Sequence, residues 1–377
     1  MSVKISQSFF EFSKQDWNAL VTDDHPFQEW EFLSTLESSG CIGPKTNWRI
    51  EIYSKTIDGK LVGVFPTYLK FDSYGEYVFD FEWANAFRAA GIYYYPKVLV
   101  SSPFTPSVGK RIFAETREVE SELLEAALES LDSRNLSGMH VLFHDDTIFS
   151  EDQRFLERLS IQYHFFNEGF SSFEDYLNSL TRKRRKTIRQ ERKSIGASGL
   201  EIKIFSGEEI DPEFFKPFYA FYQDTTGRKW GSAYLNRTFF ENIFQTFRHR
   251  MVLVMAFENG NGIAGTFNFQ KGKKLYGRYW GALKDISYLH FELSYYRLIE
   301  YTIANQLEIF EAGAQGEHKY LRGFKPVALK SSHFLANPQA RQSIKNFLDR
   351  ERNMVRMEVE NMKKESPILS ERESPNE

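Results

Sequence analysis

The same order of elements occurs twice along this 377-residue chain, and that duplication restricts the folds open to it. In the first stretch, two helical segments precede strands at 48–55 and 61–70, which alternate in polarity around an Asp-Gly turn. In the second, two helical segments precede strands at 251–258 and 262–270 around an Asn-Gly turn. A further strand, a helix and another strand follow each hairpin. We therefore predict a mixed α/β fold used twice, and no solenoid, because no strict short-period repeat is visible.

The predicted organisation follows the order of the chain. The last residues of the first domain read as a helix at 151–159 and a strand at 161–166, and the C-terminal end is rich in Ser, Glu and Pro. The predicted parts are a first domain at 1–166, a second domain at 167–337 that opens with a basic helical entry at 171–199, a C-terminal helix at 338–364, and a disordered tail at 365–377.

Composition excludes several classes of protein. The 48 basic and 51 acidic residues give a net charge of −3, so any contact with nucleic acid must use a local patch. Cys41 is the single cysteine, which excludes a disulfide framework and Cys-cluster metal sites. His140 and His144 alternate along one predicted strand, but nothing else has metal-ligand spacing, so no metal is predicted. Without a signal-peptide pattern or an apolar run long enough to span a bilayer, we expect a cytoplasmic protein.

A dense basic run lies at residues 181–193, where the only acidic residue is Glu191. Arg185, Arg189 and Arg192 recur at helical spacing, which predicts one helical face that presents guanidinium groups to phosphates. The alternative is a solvated surface helix whose charges pair with acidic neighbours. The eight basic residues of the run are Arg182, Lys183, Arg184, Arg185, Lys186, Arg189, Arg192 and Lys193.

Four segments, taken with the duplicated order of elements, resemble a known family. They lie at 101–111, 181–193, 277–281 and 311–326, and the last is long and specific. Helix, helix, hairpin, strand, helix, strand is the order of the GNAT acyltransferase fold. Two such units in tandem resemble the FemABX aminoacyltransferases, and most closely the bacterial FemAB-like group of peptidoglycan biosynthesis/recognition proteins. The resemblance covers about residues 27–334 and implies transfer of an acyl or aminoacyl group to an amine.

Residues 311–326 are the best candidate for the reacting centre. Attack on an ester or thioester needs a deprotonated amine, so His318 or Glu317 is the expected base, with Glu311 as a further carboxylate. Cations there would stabilise an oxyanion or hold donor phosphates, and an amide would orient a carbonyl. The alternative is a capped structural loop whose charges pair with each other. The cations and the amide are Lys319, Arg322, Lys325 and Gln315.

Other candidates lie on nearby strands and loops. His290 and Glu292 open a helix after the strand that carries Trp280, where the splayed-strand cleft of this fold is expected, although both also suit helix capping. Arg228 and Trp230 at a helix C-terminus suit a stacked base or a peptide carboxylate, or a purely structural role. In the first repeat, residues 103–111 form either a phosphate cradle or a Pro-rigidified turn. The residues predicted to bind substrate here are Ser102, which directly precedes that loop, and Thr105, Lys110 and Arg111 within it.

The sequence does not fix the donor or the acceptor, and three functions are compatible with it. The connection at 281–290 lacks the Gly-rich pyrophosphate loop of acetyl-CoA enzymes, which favours aminoacyl-tRNA as donor over acyl-CoA. The expected partners are thus a polyanionic donor, of tRNA or CoA type, and an amine acceptor. A lipid-linked peptidoglycan precursor as acceptor would bring peripheral membrane contact. The alternatives are an acyl-CoA-dependent N-acyltransferase and a non-catalytic module that binds a cell-wall precursor or RNA; the oligomeric state is open.

Overall fold

The computed structural model describes residues 2–229, 233–314 and 316–372, and the chain divides into two compact units. Unit 1 comprises residues 1–160 and 328–356, and unit 2 comprises residues 161–327 and 357–377.

The strands, in chain order, are β1 (Lys4–Ser6), β2 (Trp48–Ile57), β3 (Lys60–Lys70), β4 (Lys97–Val100), β5 (Phe113–Ala114), β6 (Gly138–Val141), β7 (Leu156–Phe166), β8 (Glu201–Ser206), β9 (Met251–Glu258), β10 (Asn261–Lys271), β11 (Lys274–Ala282), β12 (Ile309–Glu311) and β13 (Lys325–Leu335). The α-helices are α1 (Lys14–Leu20), α2 (Trp30–Ser38), α3 (Phe81–Ala89), α4 (Arg117–Ser133), α5 (Thr147–Glu151), α6 (Phe173–Ser179), α7 (Arg182–Gly196), α8 (Pro212–Phe215), α9 (Phe218–Lys229), α10 (Arg237–Phe247), α11 (Leu289–Phe291), α12 (Arg297–Ala304), α13 (Glu317–Tyr320), α14 (Pro338–Lys364) and α15 (Leu369–Arg372). A π-helical turn, Glu292–Tyr296, connects α11 to α12.

The sheet of unit 1 runs in the order β1-β2-β3-β4-β6-β13, with β5 also paired to β3. All of its neighbours are antiparallel except β4 and β6, which are parallel. The hairpin of β2 and β3 keeps its register from the Trp48–Lys70 pair to the Ile57–Lys60 pair, with one irregularity after Lys55. One parallel pair therefore lies inside an otherwise antiparallel sheet.

The sheet of unit 2 repeats this pattern in the order β8-β9-β10-β11-β12-β7. Its hairpin is β9 and β10, its parallel pair is β11 and β12, and β7 closes the sheet in antiparallel pairing with β12. Strand by strand, β8 to β12 take the places of β1 to β4 and β6. The prediction of a mixed α/β fold used twice is confirmed.

Each core is built from helices with one apolar face. In α4, the Thr116 hydroxyl accepts a hydrogen bond from Val119 N and caps the helix, and buried Leu123, Ala127 and others follow at helical spacing. In α10, Asn236 caps the N-terminus, and five apolar residues of the helix are buried, four of them Phe. The many Phe residues of the sequence therefore fill cores. Within the described ranges, no helix combines the length and apolar character that crossing a bilayer requires.

Several segments differ from the sequence prediction. Residues 156–159, predicted as the end of a helix, begin β7, where Leu156 packs with apolar residues of α3 and α14. The strand β13 was not predicted, and it places residues 328–337 in unit 1, whereas we assigned them to the second domain. In the expected tail, Ser366 and Ile368 are buried and α15 follows. Residues 373–377 lie outside the described residues.

The two histidines considered for a metal site have protein partners in unit 1. His140 Nδ1 lies 2.8 Å from His333 Nδ1, and His144 Nε2 lies 2.8 Å from Ser332 Oγ. Burial lowers the pKa of both His140 and His144 to about 3, so both rings are neutral at pH 7. Across the described ranges, no group of three or more His, Cys, Asp or Glu side chains is placed to hold a metal ion.

Candidate functional site

A tight turn after β12 forms the candidate site of unit 2. Gly313 has φ of +80° and Gly316 has φ of +109°, a backbone region that glycine adopts readily, and the short helix α13 begins directly after Gly316. A Cβ at residue 316 would lie 2.7 Å from His318 Cε1. Glycine at this position is therefore what lets the His318 ring lie against the turn.

His318 contacts a tyrosine that the sequence did not point to. Its Nε2 lies 2.8 Å from Tyr295 Oη, and the rings of Phe291 and His290 flank it at 5.6 Å and 6.0 Å between centroids. Burial raises the pKa of Tyr295, so its phenol is neutral at pH 7. If Nε2–H donates to the phenol oxygen, Nδ1 is the unprotonated, basic nitrogen of the ring. If instead the phenol donates, Nδ1 carries the proton.

The π-helical turn brings two consecutive tyrosines into the site. Tyr295 and Tyr296 are both buried, and while Tyr295 Oη reaches His318, Tyr296 Oη donates to Glu191 of α7. A π turn widens the helix by one residue, and such turns are frequent at functional sites. In the sequence, the only sign of this arrangement is the pair of adjacent tyrosines within one predicted helix. Their partners depend on tertiary contacts that no local pattern reveals.

Lys319 is a buried cation without an ion pair. Its side chain is 2% exposed, and Nζ donates to Gly313 O at 2.6 Å. In the described part of the chain, no carboxylate lies within ion-pair distance of Nζ. Burial lowers the pKa of Lys319 to about 7, so near neutral pH both the ammonium and the amine forms are populated. A nearby negative charge, or a proton transfer, is the chemistry that such a group suits.

Arg322 and Lys325 are held in ion pairs. Both Glu191 oxygens accept from Arg322 Nη2, at 2.8 Å and 3.0 Å, and Arg322 is only 6% exposed. Lys325 Nζ lies 2.6 Å from Glu168 and 3.2 Å from Glu371. These contacts correct the expectation that both cations face a substrate, because their charges are already neutralised by protein carboxylates.

The three predicted carboxylates differ in surroundings. Glu292 is 2% exposed and pairs with Arg192 and Arg297, which gives it a structural role. Glu311 is buried on β12, opposite His164 of β7. Glu317 is exposed at the first position of α13. Of these, Glu317 alone reaches solvent, so it stays a candidate for proton exchange with bulk water.

His290 and Trp280 lie together near His318. Their ring centroids are 5.1 Å apart in an edge-on arrangement, and Trp280 is half-buried on β11. The structure thus brings His290, Trp280 and His318 to one end of the parallel strand pair. Trp230 and Gln315 lie outside the described residues, and so does the side chain of Arg228, whose backbone belongs to α9.

The basic run forms α7, but its charges divide differently from the prediction. Arg185 Nη1 donates to Asn178 O and Leu180 O, each at 3.0 Å, at the end of α6. Arg189 pairs with Glu174, and Arg192 pairs with Glu292 and Glu300. All three guanidinium groups of the predicted phosphate-facing row therefore bind protein groups, as in the alternative of a surface helix with acidic neighbours, and a phosphate-binding role for this row stays a prediction. Within the described part of the chain, the α7 cations whose side chains bind no protein group are Arg182, Lys183, Arg184, Lys186 and Lys193, and all except half-buried Arg184 are exposed.

The loop predicted as a phosphate cradle in unit 1 is filled by its own arginine. Arg111 is fully buried and donates to the carbonyl oxygens of five residues, among them Ser107 and Gly109. Ser102 and Thr105 are buried, and Ser102 Oγ accepts from Gln28. These three side chains hold the loop together, which corrects the prediction of a binding role. The remaining member is exposed Lys110, 3.7 Å from Glu120.

The fold and this site define a class of protein. Two units, each with one parallel strand pair inside an antiparallel sheet, are GNAT-like, and the candidate site lies at the end of that pair in unit 2. The chain belongs to the FemAB-like family, whose model, described as peptidoglycan biosynthesis/recognition, matches residues 8–370. No curated protein matches the sequence at a significant level.

Solved structures share the fold at low identity. A crystal structure of FemX is 14% identical, with a TM-score of 0.55 over 91% of this chain and 100% of that one. The C-terminal domain of a putative lysylphosphatidylglycerol synthetase from Agrobacterium fabrum is 8% identical, with a TM-score of 0.54 over 90% and 96% of the chains. L-PGS from Bacillus licheniformis is 9% identical, with a TM-score of 0.52 over 90% and 97%.

Proposed function

We propose that this protein transfers an acyl or aminoacyl group from an activated ester or thioester to an amine, at the candidate site of unit 2. The observation that carries the proposal is the 2.8 Å contact between His318 and Tyr295, next to buried Lys319 of α13, which pairs with no acid among the described residues. A base held in one orientation and a cation held without a counterion are the two groups that this reaction needs.

The roles follow from the chemistry. With Nε2–H donating to Tyr295, Nδ1 of His318 takes a proton from the acceptor amine. The amine nitrogen then forms a bond to the carbonyl carbon, and the ammonium form of Lys319 stabilises the oxyanion. When the bond from carbon to the leaving oxygen or sulfur breaks, His318 returns the proton to the leaving group. No other reactant is required.

Aminoacyl-tRNA is the donor that we favour. Five cations of α7 bind no group among the residues that the structure describes, and an RNA backbone would neutralise them. The family description and the similarity to FemX support an amine of a peptidoglycan precursor as the acceptor. With acyl-CoA as donor, fewer phosphates would be bound and the salt dependence of binding would be weaker.

Binding of bulk tRNA and of acetyl-CoA, each at low and moderate salt, tests the choice of donor. We expect the tRNA binding constant to fall as salt increases. For each phosphate contact, its logarithm should fall by roughly 0.7–0.9 per tenfold rise in salt concentration. Changing Arg182, Lys183, Lys186 and Lys193 to Gln should abolish most of this binding. A control with the same loss of charge on α14, at Lys345, Arg350, Lys363 and Lys364, should retain it. Acetyl-CoA binding without tRNA binding would instead support the N-acyltransferase, and binding of neither would exclude both donors.

Replacing His318 by Ala tests the reaction itself. The assay follows labelled amino acids from a mixed aminoacyl-tRNA pool to a lysine-containing peptidoglycan precursor. Loss of a general base predicts a fall in turnover on the order of 10²-fold or more, with little change in tRNA binding. Full activity in this variant would overturn the assignment of the base. Wild-type protein that binds tRNA and transfers nothing would point to the non-catalytic binding module.

A further inference from the structure

Glu191 is the single acid in the basic run, and it lies on the inner side of α7. It is 7% exposed, whereas Lys186 and Lys193 on the same helix are exposed. Both of its oxygens accept from Arg322 Nη2, and one of them also accepts from Tyr296 Oη. A carboxylate that accepts three hydrogen bonds from two side chains has a defined orientation.

Arg322 continues this network to His318. Its Nε donates to Tyr296 Oη at 2.7 Å, and its Nη1 donates to the main-chain oxygen of His318 at 2.9 Å. The guanidinium carbon lies 3.6 Å from the centroid of the Phe291 ring, which in turn flanks the His318 ring. The three nitrogens of this guanidinium therefore bind Tyr296, His318 and Glu191, one each.

The network depends on the carboxylate. A guanidinium as buried as that of Arg322 is unfavourable without a paired negative charge, and Glu191 is the carboxylate within ion-pair distance of it in the described part of the chain. Without Glu191, Arg322 would turn toward solvent, which would release His318 O, and Tyr296 would lose its acceptor.

We propose that Glu191 is a positioning residue for the Tyr295–His318 pair. It holds His318 through Arg322, and it holds the π-helical turn that carries Tyr295 through Tyr296. The importance of the pair for the reaction rests on the function proposed above, whereas the positioning itself does not. The same helix thus carries the free cations on its outer side and orients the base from its inner side.

The test is the ¹⁵N NMR spectrum of histidine-labelled full-length protein, at a pH where the His318 ring is neutral. The two imidazole nitrogens report which one carries the proton, and a held ring shows one tautomer. In Glu191→Gln we expect the His318 signals to move at least about half of the way toward their positions in Tyr295→Phe. That variant removes the hydrogen bond between Tyr295 and His318 and so sets the full scale of the shift.

Glu174→Gln is the matched control, because it removes the carboxylate partner of Arg189 from the outer side of α7. Its His318 signals should equal those of the wild type. A folded Glu191→Gln protein with wild-type His318 signals would overturn the proposal, even if its melting temperature falls. Should Glu191→Gln fail to fold, Tyr296→Phe replaces it with the same expectation. Since no substrate is present, failure of the transferase assay leaves this result intact, and the reverse also holds.

Discussion

Lys319 is a basic side chain in a place that penalises its charge. It is buried, it hydrogen-bonds only to the main-chain oxygen of Gly313, and no acid pairs with it in the described part of the chain. Apolar residues of similar length would fill the same space at lower cost. A residue that destabilises its own fold is characteristic of a functional site, where stability and activity conflict.

Replacing Lys319 by Met should stabilise the protein and lower its activity. The pKa of Lys319 is about 7 in the folded chain and 10.5 in the unfolded one, so between these values the unfolded chain binds the extra proton. Wild-type stability therefore rises with pH across this window, and the cost of the buried charge is largest at and below pH 7. Thermal unfolding should show a Tm for the variant higher by at least about 2 °C at pH 7, with the gap closing toward pH 10.

A lower Tm for Lys319→Met across this whole range would contradict the argument, because it would mean that Lys319 makes a stabilising interaction when charged. Activity of the variant should be measured beside its stability, in the same transfer assay as His318→Ala.

At the scale of elements, α9 lies directly against β11 where Gly281 stands. A Cβ at this position would lie 2.1 Å from Phe221 O and 2.2 Å from Phe221 C, which are main-chain atoms of the helix. Main-chain atoms cannot rotate away as a side chain does. Glycine at this position therefore sets the distance at which the helix packs on the strand, close to Trp280.

Gly281→Ala should destabilise unit 2 by about 1–3 kcal/mol or more, the usual range for overpacking. Gly196→Ala is its matched control, since Gly196 ends α7 with nothing within 4 Å of a built Cβ. Alanine in a helix favours folding by up to about 1 kcal/mol relative to glycine, so this variant should be as stable as the wild type or more so. Urea midpoints compare the two; equal midpoints would show that α9 can move away freely.

Local patterns predicted the elements that carry their own signal. The hairpins of both units and α14 appear with bounds close to those expected, because alternation or helical periodicity marks them directly. β7 was partly misread as a helix, since Phe155, Leu156 and Leu159 are spaced as on a helical face. β13 was missed because its sequence, which contains Pro and several polar residues, takes its extended form from pairing with β6.

The sequence predicts where the candidate site lies along the chain, but it does not predict most of the contacts within the site. His318 and Lys319 belong to the long motif at 311–326, and the structure brings them to one end of the parallel strand pair. Tyr295 and Glu191 were not singled out, because their partners lie over twenty residues away along the chain. Which arginines of α7 are free likewise depends on the acids that neighbouring elements present.

At the scale of the whole molecule, neither half of the chain holds a complete sheet. The sixth strand of unit 1, β13, follows every strand of unit 2, and the sixth strand of unit 2, β7, precedes them. A fragment that ends at residue 166 therefore lacks β13 and leaves the edge of β6 unpaired, which favours aggregation.

We expect residues 1–166 alone to be insoluble or to unfold without a cooperative transition. A fragment in which residues 1–160 are joined by a long Gly/Ser linker to residues 328–356 should be soluble and unfold cooperatively. The same fragment with residues 328–356 scrambled controls for length and composition. Cooperative thermal unfolding of the 1–166 fragment would show that β13 is dispensable for unit 1.

The exchanged strands also affect how the protein is made. A ribosome releases β6 about 190 residues before the end of β13, which at 5–20 residues per second is a delay of roughly 10–40 s. During that time β7 is the first extended segment to emerge beside the open edge of β6, although its own partner, β12, is not yet synthesised. Translation speed across residues 167–327 thus sets how long a nascent chain is exposed to the wrong strand pairing, and slow synthesis there would increase the demand for chaperones.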